Sequence, residues 1–389
     1  MSDHVTTAVL MAGIPSRNYS LYHRLRFKVG DPTAWVEIHA ADGTRQSTLL
    51  LRDIEMQRAR QHARVDSVAC PADFAPPEGL SGDRETATAQ ATAELLRRAG
   101  VRRAVSDRSL PLIFAHHIEQ AGITLECDLE MGVLSRRAKD DEEIAWLAEA
   151  QAATEGAMRM ACELVAGADT DDEGGLLEDG QPLTSERVRS AVDVWLLERG
   201  YMNPRSIVAG GPQAADCHEM GSGPLMSGQP VIIDIFPQNK QTLYNGDCTR
   251  TVVHGKVSEA VEAMHRAVVE ANQAGIDAVR DGVTGEDVHR ATIEVIERYG
   301  YRLGLPGDND PDDYCAMTHG TGHGVGLDVH EPPLLDFGGP PLVVGDCLTI
   351  EPGLYSRAIG GVRVEDMVIV EQDSARNLNQ LPGGLDWRP

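Results

Sequence analysis

Basic residues are in short supply: 35 lysines and arginines stand against 60 aspartates and glutamates, for a formal charge of −25. Nucleic acid and anionic membranes are bound through clustered lysine and arginine, so neither is expected as a partner. Paired cysteines are lacking as well. The seven cysteines, at 70, 127, 162, 217, 248, 315 and 347, are scattered and odd in number, with no CxxC. That excludes a disulfide framework and a thiolate zinc site. Long apolar runs are missing too: near the start only residues 8–12 are apolar, no basic region precedes them, and nothing reaches transmembrane length. A soluble, cytoplasmic protein is the expectation. Several catalytic signatures are also absent. There is no HExxH, GTGHGVG departs from the spacing of a dinucleotide fingerprint, and Ser222 in GSG has no nucleophile elbow.

A chain of 389 residues is long enough for two domains, one of them able to enclose a site. Residues 1–136 read as one α/β unit, with strands at 35–39 and 48–51 and helices at 85–98 and 113–120, each helix closed by a glycine. No catalytic constellation lies in it. A boundary falls near 135–139, where Arg136 and Arg137 precede the acids of 140–143 that suit the start of a long helix. After an acidic, glycine-containing loop at 169–180, a second helix begins near Thr184, and strands follow at 206–209, 231–236 and 249–254. The order then repeats in kind. Ser258 and Thr284 open two more helices, and strands follow at 348–351 and 362–370. Two helix, helix, sheet units of similar length predict two related halves sharing a central sheet, within a domain spanning 137–375 and followed by a tail at 376–389.

The run His319 to Glu331, HGTGHGVGLDVHE, sets three histidines between four glycines. Glycine permits close backbone approach and positive φ, and it disfavours helix, so the run reads as an extended, turning segment on which imidazoles converge. Alone, it fits a mobile glycine loop equally well. Its company decides the matter. Asp234 in VIIDIF, Asp247 before CTRTVV, Glu351 in LTIEPG and Glu365 in VRVEDMVIV each lie in or beside a segment that reads as a buried strand. An unpaired carboxylate there costs several kcal/mol, so four such acids call for cations. Four carboxylates and one imidazole form a hard, oxygen-rich set suited to Mn²⁺, Fe²⁺, Co²⁺ or Zn²⁺.

The ordered set Asp234, Asp247, His323, Glu351 and Glu365, within DCTRT, HGTGHGVGLDVHE, TIEPGLY and VRVED, resembles the pita-bread metallopeptidases, the family of prolidase, aminopeptidase P and methionine aminopeptidase. The resemblance covers about 138 to 372, and the part before it looks like the creatinase-type domain of prolidase and aminopeptidase P. It implies an α/β, pita-bread catalytic domain of two pseudo-symmetric halves behind a smaller creatinase-like domain. It also implies two divalent metal ions per chain, Mn²⁺ first, with Asp247 and Glu365 bridging, Asp234 completing one ion, and His323 with Glu351 the other.

Activated water would then be the nucleophile, and Glu351 would take its proton. By the same resemblance His330 touches the scissile carbonyl, His319 lies near the residue after the cut, His218 is a further pocket histidine, and Arg363 pairs with acids beside the metals. The hairpin PQNKQTLYNG, between Asp234 and Asp247, is longer than the family usually has, which bears on one pocket wall. The implied activity is cleavage of the Xaa-Pro bond in proline-containing peptides by a homodimeric enzyme. No arginine near the motifs offers itself to a substrate carboxylate, so an Xaa-Pro aminopeptidase is favoured over an Xaa-Pro dipeptidase. Creatinase-like hydrolases and binding proteins of this fold typically lose metal ligands, and this chain keeps all five.

Overall fold

The computed structural model describes residues 6–388 and divides into two compact units, one ending at Arg136 and the other beginning at Arg137. The first is built on a six-stranded mixed sheet of β1 (Thr7–Gly13), β2 (Thr33–His39), β3 (Arg45–Leu50), β4 (Ser67–Ala69), β5 (Arg103–Asp107) and β6 (Thr124–Asp128), in the order β4-β3-β2-β1-β5-β6. The apolar patch at 8–12 is therefore a central strand. Leu10 and Ala12 pack with Leu96 and Phe114 on one face, while Met11 packs with Trp35 and Leu49 on the other. A strand covered on both faces reads as a continuous apolar run, because neither side of its two-residue period can be polar.

The second unit opens with α1 (Asp141–Ala166), whose first turn is closed by a capping box between Asp140 and Glu143. The stretch expected as a loop at 169–180 is instead part of a small antiparallel ladder, Asp169–Thr170, Leu176–Glu178 and Gln181–Pro182. Next come α2 (Ser185–Glu198), capped by Thr184, and an antiparallel sheet of β7 (Ser206–Gly210), β8 (Pro230–Ile235) and β9 (Cys248–Val253). Helices α3 (Glu259–Ala278) and α4 (Gly285–Arg298) then precede β10 (Gly322–Gly324), β11 (Glu331–Leu335), β12 (Cys347–Ile350), β13 (Gly353–Ser356), β14 (Gly360–Arg363), β15 (Asp366–Val370) and β16 (Ala375–Asn377). Five of these make one sheet, β11-β10-β12-β15-β16, while β13 and β14 belong to another.

The single strand expected at 362–370 is thus two strands in two sheets. The chain crosses between them at Val364 and Glu365. The segment expected as a tail, from 376 onward, packs within the second unit: Asn377 pairs with Val368, and Trp387 is buried in the core beneath α1 and α2.

Candidate metal centre

Strand β8 separates core from site by alternation. Val231, Ile233 and Ile235 enter the cluster beneath α1 and α2, while Ile232 packs on the opposite face with Ile207 and Ala209. Asp234, two residues after Ile232, shares that opposite face. Asp247 immediately precedes β9 and is held by Gln151 of α1, whose Nε2 donates to the Asp247 carbonyl at 2.7 Å and whose Oε1 accepts from the Asp247 N–H at 2.9 Å. Gly246 makes this possible, since a Cβ there would lie 2.1 Å from Thr154 Oγ1 and 2.7 Å from the Ala150 carbonyl oxygen of the same helix.

The other half delivers its two acids at strand ends. Ile350 pairs with Asp366, so Glu351 and Glu365 flank the end of the β12–β15 ladder. The Glu351 N–H donates to the Thr321 carbonyl at 2.8 Å and the Glu365 N–H to the Thr249 carbonyl at 3.1 Å. Thr249 Oγ1 also donates to Glu365 Oε2 at 2.7 Å.

His323 lies on β10, and its Nδ1 faces the Gly324 carbonyl at 3.1 Å. That contact assigns the proton to Nδ1 and leaves Nε2 free to ligate. Nε2 is 3.3 Å from Glu351 Oε1 and 3.9 Å from Asp247 Oδ2. One ligand atom each from Asp247, His323 and Glu365 lie within 4.8 Å of one another. The glycines of this run act by close approach. None of Gly320, Gly322, Gly324 and Gly326 has positive φ, contrary to expectation, but a Cβ on Gly322 would stand 2.0 Å from the Thr349 carbonyl oxygen.

Charge makes the cluster ill-suited to stand alone. Burial, then repulsion from Glu365 and Asp234, pushes the Asp247 carboxyl well above the usual range, and burial followed by Glu351 and Asp234 does the same to Glu365. Burial also raises Asp234 against the pull of Arg363. Burial would raise Glu351 too, but the hydrogen bond and charge of His323, with His319 and Arg363, outweigh it and hold that carboxyl low. Asp234 Oδ1 is buried with no hydrogen-bond partner among the described residues. An unsatisfied oxygen beside carboxyls that resist ionisation, with one imidazole nitrogen turned toward them, fits divalent cations.

The remaining candidates line the same cavity of about 530 Å³, which also holds all five candidate ligands. The Arg363 guanidinium donates to Asp234 Oδ2 at 2.7 Å, to Thr249 Oγ1 at 3.2 Å and to the Tyr355 hydroxyl at 3.0 Å. Tyr355 OH lies 2.7 Å from His319 Nε2, and His319 Nδ1 lies 2.8 Å from the Gly320 carbonyl. Both ring nitrogens of His319 are therefore engaged within the protein. His330 is exposed to the cavity and stacks edge-on against His323, 4.3 Å between centroids, and His218 is exposed on the cavity wall. The longer hairpin does not line the cavity beyond Phe236: Gln238 and Asn245 instead bond the turn at Gly326 and Leu327.

The model of metallopeptidase family M24 matches residues 145–372. The chain belongs to this family. Among its M24 relatives, the Xaa-Pro dipeptidase of Pyrococcus furiosus is 31% identical over 227 residues, 57% of this chain and 60% of that protein. The chain spans 60% or less of the length of the curated relatives it matches first. Two solved structures, an Xaa-Pro dipeptidase from Bacillus anthracis and an X-Pro aminopeptidase from Thermotoga maritima, each superpose with a TM-score of 0.77 at 21% identity. They cover 98% and 97% of this chain, and it covers 94% and 97% of theirs. The second unit thus has the pita-bread fold of M24, and the fold does not separate the two activities.

Some residues of this M24 site were not legible in the sequence. Gln151 and Asn272 are polar residues on the buried faces of α1 and α3; Asn272 Nδ2 donates to the Ile350 carbonyl at 2.7 Å, next to Glu351. A lone buried amide inside an apolar helical face was the available signal. Arg205, the residue just before β7, also lines the cavity.

Proposed function

We propose that this M24 chain hydrolyses the amide bond preceding proline, with divalent ions held by Asp234, Asp247, His323, Glu351 and Glu365. The observation that carries the reading is the convergence of these five side chains, drawn from both halves of the second unit, on one cavity. The hard donor set favours Mn²⁺ or Co²⁺. When bound, such ions supply Lewis acidity, easing deprotonation of water and polarising a carbonyl.

The protein's own groups do the rest. Glu351, whose Oε1 accepts from Thr349 Oγ1 at 3.3 Å, takes the proton of the attacking water. His330, free to donate into the cavity, steadies the scissile carbonyl oxygen as negative charge develops. His218 stands where it can serve the leaving nitrogen. Arg363 holds Asp234, and His319, bonded on both nitrogens, acts through Tyr355 as a positioning residue. Proline's nitrogen has no N–H to donate, so its ring must be recognised by shape, for which Ile207, Phe236 and Leu334 supply apolar wall. The relatives named Xaa-Pro dipeptidase support this substrate class, and the solved structures support the fold that would carry it. The first unit is read as the creatinase-type domain, in keeping with structural likeness over nearly the whole chain.

The test is hydrolysis by Mn²⁺-loaded protein of Ala-Pro and Ala-Pro-Ala against Ala-Ala and Ala-Ala-Ala. Cleavage confined to the proline peptides is expected; equal cleavage of both sets, or of neither, would refute the reading.

A further inference from the structure

A peptide entering this cavity meets five carboxyl groups, Asp234, Asp247, Asp336, Glu351 and Glu365. Its ammonium end is welcome there, but its carboxylate end is not, unless a cation receives it. Two arginines and no lysine are among the described residues lining the cavity. Arg363 is spent: its guanidinium is bonded to Asp234, Thr249, Tyr355 and the Cys217 carbonyl. Arg205 is exposed and has no hydrogen bond or ion pair with any described residue.

Strand register places the segment that Arg205 precedes. Ile207 pairs with Asp234 across β7 and β8, and Ser206 with Ile235. Arg205 is the residue immediately before β7, two positions before Ile207, and it lines the same cavity as Ile207 and Asp234. Phe236 directly follows β8, two residues after Asp234, and it lines the cavity too. A cation and an aromatic ring therefore flank the Ser206–Ile235 pair that ends the ladder carrying Asp234, and both face one cavity. In an Xaa-Pro dipeptide the proline carries the free carboxylate, one residue beyond the cut and about 3.8 Å along the chain between Cα atoms.

We propose that Arg205 receives the free carboxylate of the substrate's proline while Phe236 and Ile207 pack its ring, so that Xaa-Pro dipeptides are the preferred substrates. This rests on the proposed Xaa-Pro activity and revises the expectation of an aminopeptidase, which followed from seeing no arginine near the motifs. A guanidinium matches a carboxylate in a planar, two-pronged geometry that an amidated or extended proline cannot reproduce.

The experiment compares kcat/KM for Ala-Pro, Ala-Pro amide and Ala-Pro-Ala in the Mn²⁺-loaded wild type, Arg205→Met and Arg205→Lys. The wild type should prefer Ala-Pro. Arg205→Met should lose about ten- to hundredfold on Ala-Pro while changing less than about twofold on the amide, and Arg205→Lys should recover part of the loss. An equal loss on acid and amide would overturn the proposal. So would a loss that follows Glu-Pro amide against Ala-Pro amide, which would make Arg205 a receptor for an acidic first side chain. If the protein hydrolyses none of these peptides, the Xaa-Pro activity falls. Ala-Pro is then a stable ligand, and calorimetric binding that is tighter than for the amide in wild type but not in Arg205→Met still upholds Arg205 as a carboxylate receptor; no difference refutes it.

Discussion

Gln151 and Asp247 grip each other through two reciprocal hydrogen bonds, side-chain amide to backbone amide, at 2.7 and 2.9 Å. Gln151 is fully buried in α1, so the helix fixes the backbone from which the Asp247 carboxyl projects. Gln151→Leu keeps the volume but leaves a buried N–H and C=O unpaired, at about 1–3 kcal/mol each, and frees Asp247 to shift. The expected result is a drop of about 10- to 100-fold in metal affinity with the fold retained. Metal titration alongside circular dichroism checks it, and unchanged affinity in a folded variant would show that Gln151 does not position the ligand.

Metal content separates the histidines. Purified protein should carry close to two divalent ions per chain by elemental analysis, and chelation should abolish activity and lower Tm, because the raised carboxyls of Asp247 and Glu365 lose their counter-charge. His323→Ala should shed metal. His330→Ala should keep it and lower kcat by roughly two to four orders of magnitude. The opposite pattern would mean that the two roles are exchanged.

A single methyl group should damage the site from behind. In Gly322→Ala the new Cβ meets the Thr349 carbonyl oxygen at 2.0 Å, so β10 must move away from β12 and carry His323 with it. The cost is about 1–3 kcal/mol or more, read as a lowered Tm, together with weaker metal binding. Gly30→Ala, where a Cβ meets nothing within 4 Å and φ is not positive, should leave Tm nearly unchanged. If both variants melt alike, close approach is not what Gly322 provides.

The acids were legible in the sequence because each lies in or beside an apolar strand pattern. A carboxyl at Asp234 between Ile233 and Ile235 violates the expectation for a buried strand and so announces a purpose. Helix starts at Asp140, Thr184, Ser258 and Thr284 were equally plain, since capping is local chemistry. What stayed hidden depends on distant chain. The break between β14 and β15 lies inside VRVEDMVIV, which has no glycine or proline to mark a turn, and only the two sheets that claim its ends divide it. The central strand β1 hid for a related reason: buried on both faces, it shows no alternation. Arg205 shows nothing at all in one dimension, because only the pairing of β7 with β8 brings the segment it precedes to the cavity that holds Asp234.

Trp387 lies in the core beneath α1 and α2, and Asn379 Oδ1 accepts from the same Gln151 amide that steadies Asp247. A chain emerging from the ribosome therefore makes α1 long before it makes the groups that finish α1's packing. Until residues 379–387 are released, the helix pair has an unfilled apolar face and Gln151 an incomplete set of bonds. The first half cannot mature in order of synthesis, and the metal pocket is expected to close in one late, cooperative step that joins residues far apart along the chain.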